Sequence, residues 1–183
     1  MAILRALLVL VWLGLSVGAP AADAFQGESE YRIKAAYLYK FAAYVEWPAS
    51  AFAKADSPLT IGIVGADEMA SELIKLKGGP LINNRAMEVK LLKPGEPLTG
   101  IQVLFVGRHE SAPLSRILER VQTLPVLSVT ELAGALGAGS IINFVPVDDR
   151  IRFEVSVAQA ERSGLKVSAR LLGVAQKIET RRP

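Results

Sequence analysis

The sequence predicts an α/β protein: a three-layer α/β/α sandwich with a Rossmann-like, mainly parallel sheet and an antiparallel hairpin at one edge of that sheet. Short runs that are apolar on both faces alternate with helical patterns, which is typical of parallel strands covered by helices on both sides. Two later strands are separated only by residues 146–149, which favours a hairpin. No repeat or linker interrupts the pattern, so we expect a single domain over residues 25–183.

The first predicted element is a helix over residues 28–45, which contain neither Gly nor Pro. The helix should end before Trp47-Pro48, because a proline disfavours helical geometry in the residue that precedes it. A strand at 59–65 follows, and Asp67 opens the next helix. Further strands are predicted at 87–93, 103–107, 125–130, 140–145 and 150–156. Further helices are predicted at 111–124, 130–136 and 157–162, and from 168 to about 179.

The segment at residues 1–24 has the pattern of a secretory signal peptide. Arg5 precedes an apolar run over residues 6–17, and Ala22-Asp23-Ala24 has the small-x-small pattern of a cleavage site. A membrane-spanning helix needs about 20 apolar residues, and this run is shorter. We expect export from the cytoplasm and cleavage after Ala24. Cleavage after Ala21 and an uncleaved membrane anchor stay open as alternatives.

Composition excludes some classes of function. The formal net charge is +3, and the basic residues are scattered, so the sequence does not predict nucleic-acid binding. The chain contains no cysteine, which excludes disulfides and thiol redox switching.

No motif predicts a cofactor. The turn in "GIVGADE", which begins at Gly62, lacks the third glycine of a dinucleotide fingerprint. The glycine-rich segment 134–140 has no Lys-Ser or Lys-Thr after it, as a P-loop would. Both segments are better interpreted as tight turns.

No motif predicts a catalytic residue or a metal ligand set either. His109 is the only histidine, and without a second His or a Cys it makes a poor zinc site. Asp148-Asp149 is better explained as turn chemistry than as an acid/base pair. Open α/β sheets bind ligands at the carboxyl ends of their strands. A small-ligand crevice lined by Gly65, Arg108 and His109 therefore remains as one alternative.

The hairpin strand at 150–156 is a candidate interaction surface. Its alternation places Ile151, Phe153 and Val155 on one face, and therefore Arg152 and Glu154 on the other. Charged side chains near a sheet edge either guard that edge against unwanted pairing or contact a partner. We name Arg152 and Glu154 as candidate partner-binding residues.

The first helix carries more apolar side chains than one face can hold. Four of them recur at spacings of four and should pack on the sheet: Ile33, Tyr37, Phe41 and Val45. Tyr31, Leu38 and Tyr39 are displaced around the helix. We predict that these three form a dimer or partner face.

Five segments of the chain together have a recognisable pattern: "KAAYLYKFAAYVEWP", "LTIGIVG", "VLFVG", "PVLSVTELAGALGAGSIINFV" and "RIRFEVSVAQAERSGLKVSARLLGVA". Through these segments the chain resembles the YfiR-like family of bacterial periplasmic proteins over residues 31–175. None of these is a catalytic motif.

The resemblance implies a repressor located in the periplasm. Proteins similar to YfiR hold a membrane-bound diguanylate cyclase inactive through its periplasmic domain, which lowers cyclic di-GMP and biofilm formation. The resemblance also implies an α/β/α sandwich that forms homodimers and an outer-membrane lipoprotein that sequesters the repressor. Characterised relatives use disulfides for stability and redox sensing, and this chain cannot, because it has no cysteine.

Two hypotheses therefore remain at this stage. In the first, the protein is a non-enzymatic regulator that binds the periplasmic domain of an inner-membrane cyclase or a similar sensor. In the second, it is a periplasmic module that binds a small ligand in the crevice at the strand ends.

Overall fold

The computed structural model describes residues 21–93, 95–110 and 113–180. Its helices are α1 (Ala21–Ala43), α2 (Asp67–Lys75), α3 (Leu114–Glu119), α4 (Val157–Arg162) and α5 (Ala169–Leu172). Its strands are β1 (Val45–Glu46), β2 (Leu59–Val64), β3 (Met87–Leu91), β4 (Val103–Val106), β5 (Leu127–Thr130), β6 (Ile142–Val147), β7 (Arg150–Ser156), β8 (Lys166–Val167) and β9 (Lys177–Glu179). Most of the predicted signal peptide, residues 1–20, lies outside the described residues.

Seven strands form one mainly parallel sheet in the order β3-β2-β4-β5-β6-β7-β9. Strands β2 to β6 are joined by parallel pairing, β6 and β7 form the antiparallel hairpin, and β7 pairs in parallel with β9. Strands β1 and β8 make a separate antiparallel pair. The predicted fold class, an α/β sandwich with a mainly parallel sheet, is confirmed.

The sheet separates two apolar clusters, as alternation along β4 illustrates. Val103 and Phe105 belong to the larger cluster, which lies under α1 and α2, and Leu104 and Val106 belong to the smaller one, which contains Ile117 of α3. All four β4 side chains are buried, which explains why the strand is apolar throughout. This two-sided burial is the feature that the sequence pattern predicted.

Helix α1 contacts both the sheet and α2, so its buried stripe is wider than the predicted one. Tyr31 and Leu38 are only 4% and 0% exposed, whereas Ile33 is 43% exposed. The prediction that Tyr31 and Leu38 lie outside the core, and that Ile33 lies inside it, is therefore wrong. Phe41 and Val45 do pack in the core, as predicted, and the partly buried Tyr37 packs against it.

The C-terminal part also differs from the prediction. Helix α5 ends at Leu172, four residues after its Ser168 N-cap, and β9 replaces the helix predicted to continue to about 179. The hairpin consequently lies one strand in from the edge of the sheet, because β9 pairs with residues 154–156 of β7. A charged, alternating Lys-Ile-Glu segment suits such a short edge strand.

The helix predicted at 130–136 is replaced by turns. Thr130 does not cap a helix, because its buried hydroxyl donates to Asn143 Oδ1 at 2.8 Å. Asn143 Oδ1 also accepts a hydrogen bond from the backbone of Leu132 at 3.1 Å. Gly134 then adopts a φ of 73°, which a regular helix does not permit.

Candidate functional site

The crevice between the carboxyl ends of β2 and β4 is filled by backbone. Gly65 follows β2 with a φ of 66°, and a Cβ placed on it would lie 2.5 Å from the backbone nitrogen of Glu110. A Cβ on Gly107, after β4, would lie 2.5 Å from the Cβ of Ala66. The two turns therefore pack directly against each other at the position where open α/β sheets bind their ligands.

The predicted small-ligand residues do not share one open crevice. Gly65 is covered by the backbone of Glu110, and His109 is exposed. The Arg108 side chain instead reaches Glu131 and lines a cleft that includes neither of the other two.

A charged cluster of Glu30, Tyr31, Lys34, Arg108 and Glu131 connects α1 to the carboxyl ends of β4 and β5. Glu131 lies at its centre with a side chain that is only 1% exposed. It accepts hydrogen bonds from the Tyr31 hydroxyl at 2.8 Å, from Lys34 Nζ at 2.5 Å and from the backbone of Arg108 at 2.9 Å. The Arg108 guanidinium adds another at 3.2 Å. Glu30 pairs with both Lys34 and Arg108.

Burial and charge act in opposite directions on the acids of the cluster. Desolvation by burial would raise the pKa of Glu131, but the hydrogen bonds from Lys34 and Arg108 outweigh it and hold the pKa below its ordinary value. The pKa of Glu30 is lowered in the same way against the effect of burial. Burial raises the pKa of the Tyr31 hydroxyl, and the charge of Glu131 raises it further. Glu30 and Glu131 are therefore ionised at neutral pH, and both are hydrogen-bonded to basic side chains, which suits a structural clamp better than proton transfer.

The charged cluster lines one wall of an open cleft of about 850 Å³. The remaining lining comes from Ile33 and from the β6–β7 hairpin, including Asp149 and Arg150. Three acidic and three basic side chains line this cleft, so their charges balance.

A second groove, which we call the basic groove, lies between α1, β7 and α5 and has a volume of about 360 Å³. Its lining residues are Tyr37, Lys40, Phe41, Tyr44, Arg152, Phe153, Arg170, Leu171 and Val174. The aromatic side chains form a connected group, with ring centroids 4.7 Å apart for Phe41 and Phe153 and 5.8 Å apart for Tyr37 and Phe153. The basic groove therefore has an aromatic floor.

The charges of the basic groove are not balanced. Among the residues that the structure describes, it is lined by Lys40, Arg152 and Arg170 and by no acidic residue. Within the part of the chain that the structure describes, none of these three side chains takes part in an ion pair. Tyr44 and Val174 are also exposed here, with Val174 at 64%. An exposed apolar surface with unpaired cations is suited to binding an anionic, partly apolar partner.

The structure divides the predicted partner-binding residues. Arg152 lines the basic groove, whereas Glu154 is half-buried and lies opposite Lys177 of β9. Tyr39 is half-buried, and its hydroxyl donates to the carbonyl of Pro80 at 2.6 Å. Tyr31 and Leu38 are buried within the monomer.

Sequence reasoning missed Lys40 and Arg170 of the basic groove and Lys34 and Glu131 of the charged cluster. Lys40 lies three residues after Tyr37, so helical spacing could have placed both on one face. Glu131 directly follows β5, where a strand-end position could have identified it. Nothing in the local sequence of Arg170 indicates which groove it reaches.

The described residues contain neither a metal-binding group of side chains nor a membrane-spanning helix. In residues 21–93, 95–110 and 113–180, no group of three His, Cys, Asp or Glu side chains is placed to hold a metal ion. No helix within those ranges has the length and apolar character needed to cross a membrane.

Comparison with known families identifies the chain. A family model described as YfiR/HmsC-like matches residues 31–176. This range includes every strand of the main sheet except β9. The match covers most of the sequence and contains both the charged cluster, apart from Glu30, and the basic groove. The chain therefore belongs to the YfiR/HmsC-like family.

Proposed function

We propose that this protein is a non-enzymatic periplasmic regulator that represses a membrane-bound diguanylate cyclase, or a similar membrane sensor, by binding its periplasmic domain. The family is known as one of regulators in the periplasm and not of catalysts, which supports the general role. The signal-peptide pattern of residues 1–24 agrees with export. The outcome in the cell would be less cyclic di-GMP and less biofilm.

The basic groove is the observation that carries this proposal. Three unpaired cations beside exposed apolar side chains suit a protein contact, and the groove includes Arg152, which the sequence already suggested as a contact. Repression follows if the protein binds the inactive state of the sensor more tightly than the active state, because only differential affinity shifts a conformational equilibrium.

The cellular test compares charge reversals at two distant positions of the sheet. Arg152→Glu changes the basic groove on β7, and Lys90→Glu replaces a basic by an acidic side chain on β3, the edge strand farthest from that groove. In a strain that lacks the native gene, cyclic di-GMP should rise, and both the native protein and the Lys90→Glu protein should restore it to the original level. The Arg152→Glu protein should not. Unchanged cyclic di-GMP after deletion of the gene would contradict the proposal.

Two further partners belong to the same proposal. An outer-membrane lipoprotein would relieve repression by sequestering the protein, and the protein would act as a homodimer. Both come from the resemblance to YfiR-like proteins. Light scattering of the purified mature chain tests for the dimer through its molar mass. Co-purification from envelope extracts tests whether the lipoprotein binds the protein.

The cleft beside the charged cluster favours a second candidate, a small-ligand-binding module. Its volume of about 850 Å³ is within the range of small-molecule sites, and Arg108 and Arg150 line it. A ligand that binds there should raise the melting temperature of the protein. Arg150→Ala should remove that increase, and a metabolite screen without any such increase would exclude this candidate.

A further inference from the structure

We propose that the basic groove binds an extended, acidic segment of the partner protein that carries a large apolar side chain. This inference rests on the proposed function, because it specifies how the partner is recognised. It does not depend on the partner being a cyclase.

Charge complementarity is the first argument for this occupant. Lys40 and Arg170 are exposed, Arg152 is half-buried, and all three line the groove. Bringing three cations together without an acid costs electrostatic energy, and an acidic ligand would remove that cost. A neutral or basic segment would gain nothing from these side chains.

The apolar lining is the second argument, because it indicates a side chain that must enter the groove. Tyr37, Phe41 and Phe153 form its aromatic floor, and Leu171 and Val174 of the α5 region close one side. A large apolar side chain inserted here would bury Val174, which is 64% exposed in the free protein. The ligand is therefore amphipathic rather than only anionic.

The third argument concerns the edge of β7 and indicates an extended backbone. Strand β9 pairs with β7 only from Glu154 onward, and the backbone of Gln176 donates to the carbonyl of Phe153 at 2.8 Å. No strand in the described part of the chain pairs with the outer side of residues 150–152. Because the carbonyl of Phe153 faces β9, strand alternation directs the backbone groups of Ile151 to the same outer side, next to Arg152 of the groove. One extended segment can therefore pair with this stretch of β7 and place a side chain in the groove.

The test uses three fluorescein-labelled synthetic peptides of eight residues and fluorescence anisotropy. The first alternates glutamate with valine and carries one central phenylalanine. The second has lysine in place of each glutamate, and the third has serine in place of the phenylalanine. We expect saturable binding of the first peptide only, with an affinity that falls as NaCl is raised from about 50 to 300 mM, because salt screens exposed charges.

Variants of the protein locate the binding site. Arg152→Glu and Arg170→Glu should each weaken binding of the acidic peptide about tenfold, because each replaces an attractive charge by a repulsive one. Val174→Asp should weaken it by a similar factor, and Lys90→Glu should leave it unchanged. Circular dichroism checks that each variant is folded.

Several outcomes would overturn the inference. The first is that the native protein binds the acidic and basic peptides equally, and the second is that the native and Arg170→Glu proteins bind the acidic peptide equally. The third is that no peptide binds, while the native protein binds phosphatidylglycerol vesicles and the Arg170→Glu protein does not. If a purified sensor domain binds the native and Arg170→Glu proteins alike, the groove assignment fails and the regulatory function stands. If the acidic peptide binds and no sensor domain does, the regulatory function fails and the groove assignment stands.

Discussion

At the scale of single residues, Glu131 joins α1 to the strand ends through one buried carboxylate. Three residues donate hydrogen bonds to it, and its exposed fraction is 1%. Removing one member of a buried ion pair is costly, because the other member keeps its desolvated charge. Here Lys34 would retain Glu30 as a partner, which limits the loss.

Glu131→Gln should lower the free energy of unfolding by about 3 kcal/mol at pH 7. The pKa of Glu131 is lowered in the folded state from its ordinary value of 4.5, so the ionised form stabilises the fold above that pH. This stabilisation is lost as the pH falls below 4.5, and the difference between native and variant protein should shrink there. Urea unfolding at pH 7 and at pH 4 measures both effects. A difference that grows on acidification would show that another group is responsible.

The corrected face of α1 leads to a second prediction at this scale. Leu38 is fully buried, so Leu38→Ala should cost about 3 kcal/mol of stability through lost burial and the cavity it leaves. Ile33→Ala removes a side chain that is 43% exposed and should cost less than about 1 kcal/mol. Thermal unfolding of the two variants compares them directly. If the sequence prediction were right and Ile33 lay in the core, Ile33→Ala would cost more stability than Leu38→Ala.

These residues also show why the sequence alone assigned α1 incorrectly. Spacing of four predicted that Tyr37, Phe41 and Val45 face the core, and the structure places Phe41 and Val45 in the core and Tyr37 against it. The same spacing placed Ile33 inside and Leu38 outside, because it assumed that only the sheet covers the helix. Helix α2 covers a second side, and the identity of a neighbouring helix is not encoded in the local pattern.

At the scale of elements, the parallel strands were the most predictable part of the fold. β2 and β4 are buried on both faces and appear as continuous apolar runs, which is a direct consequence of helices on both sides. β9 was not predictable in the same way, because a three-residue charged strand carries little apolar signal. The glycine-rich turn after β5 was predicted correctly, but the structure has turns where the sequence predicted a short helix at 130–136.

The contact between the turns after β2 and β4 gives a prediction about these elements. Gly107→Ala would place a methyl group against the backbone of Gly65 and the side chain of Ala66, so we expect a loss of about 2 kcal/mol. Gly173→Ala is the matched control, because its new Cβ would lie 3.4 Å from the nearest atom in an ordinary helical conformation. Chemical denaturation measures both. Equal stability of the two variants would contradict the close packing of the turns.

At the scale of the whole molecule, the two sites have different roles. The charged cluster is internally neutralised and holds α1 on the sheet, whereas the cations of the basic groove have no ion-pair partner among the described residues. Sequence reasoning found one residue of that groove, Arg152, because strand alternation exposed it. It could not find Arg170, because Arg170 reaches the groove only when α5 packs beside β7 in the folded chain.

The central claim is that this protein regulates a membrane sensor by binding it outside the cytoplasm. The most direct test is a binding titration between purified residues 25–183 and the purified periplasmic domain of a membrane-bound diguanylate cyclase from the same organism. We predict saturable binding that Arg152→Glu weakens at least about tenfold and that Lys90→Glu leaves unchanged. No binding by the folded native protein, at concentrations up to about 100 µM, would contradict the claim.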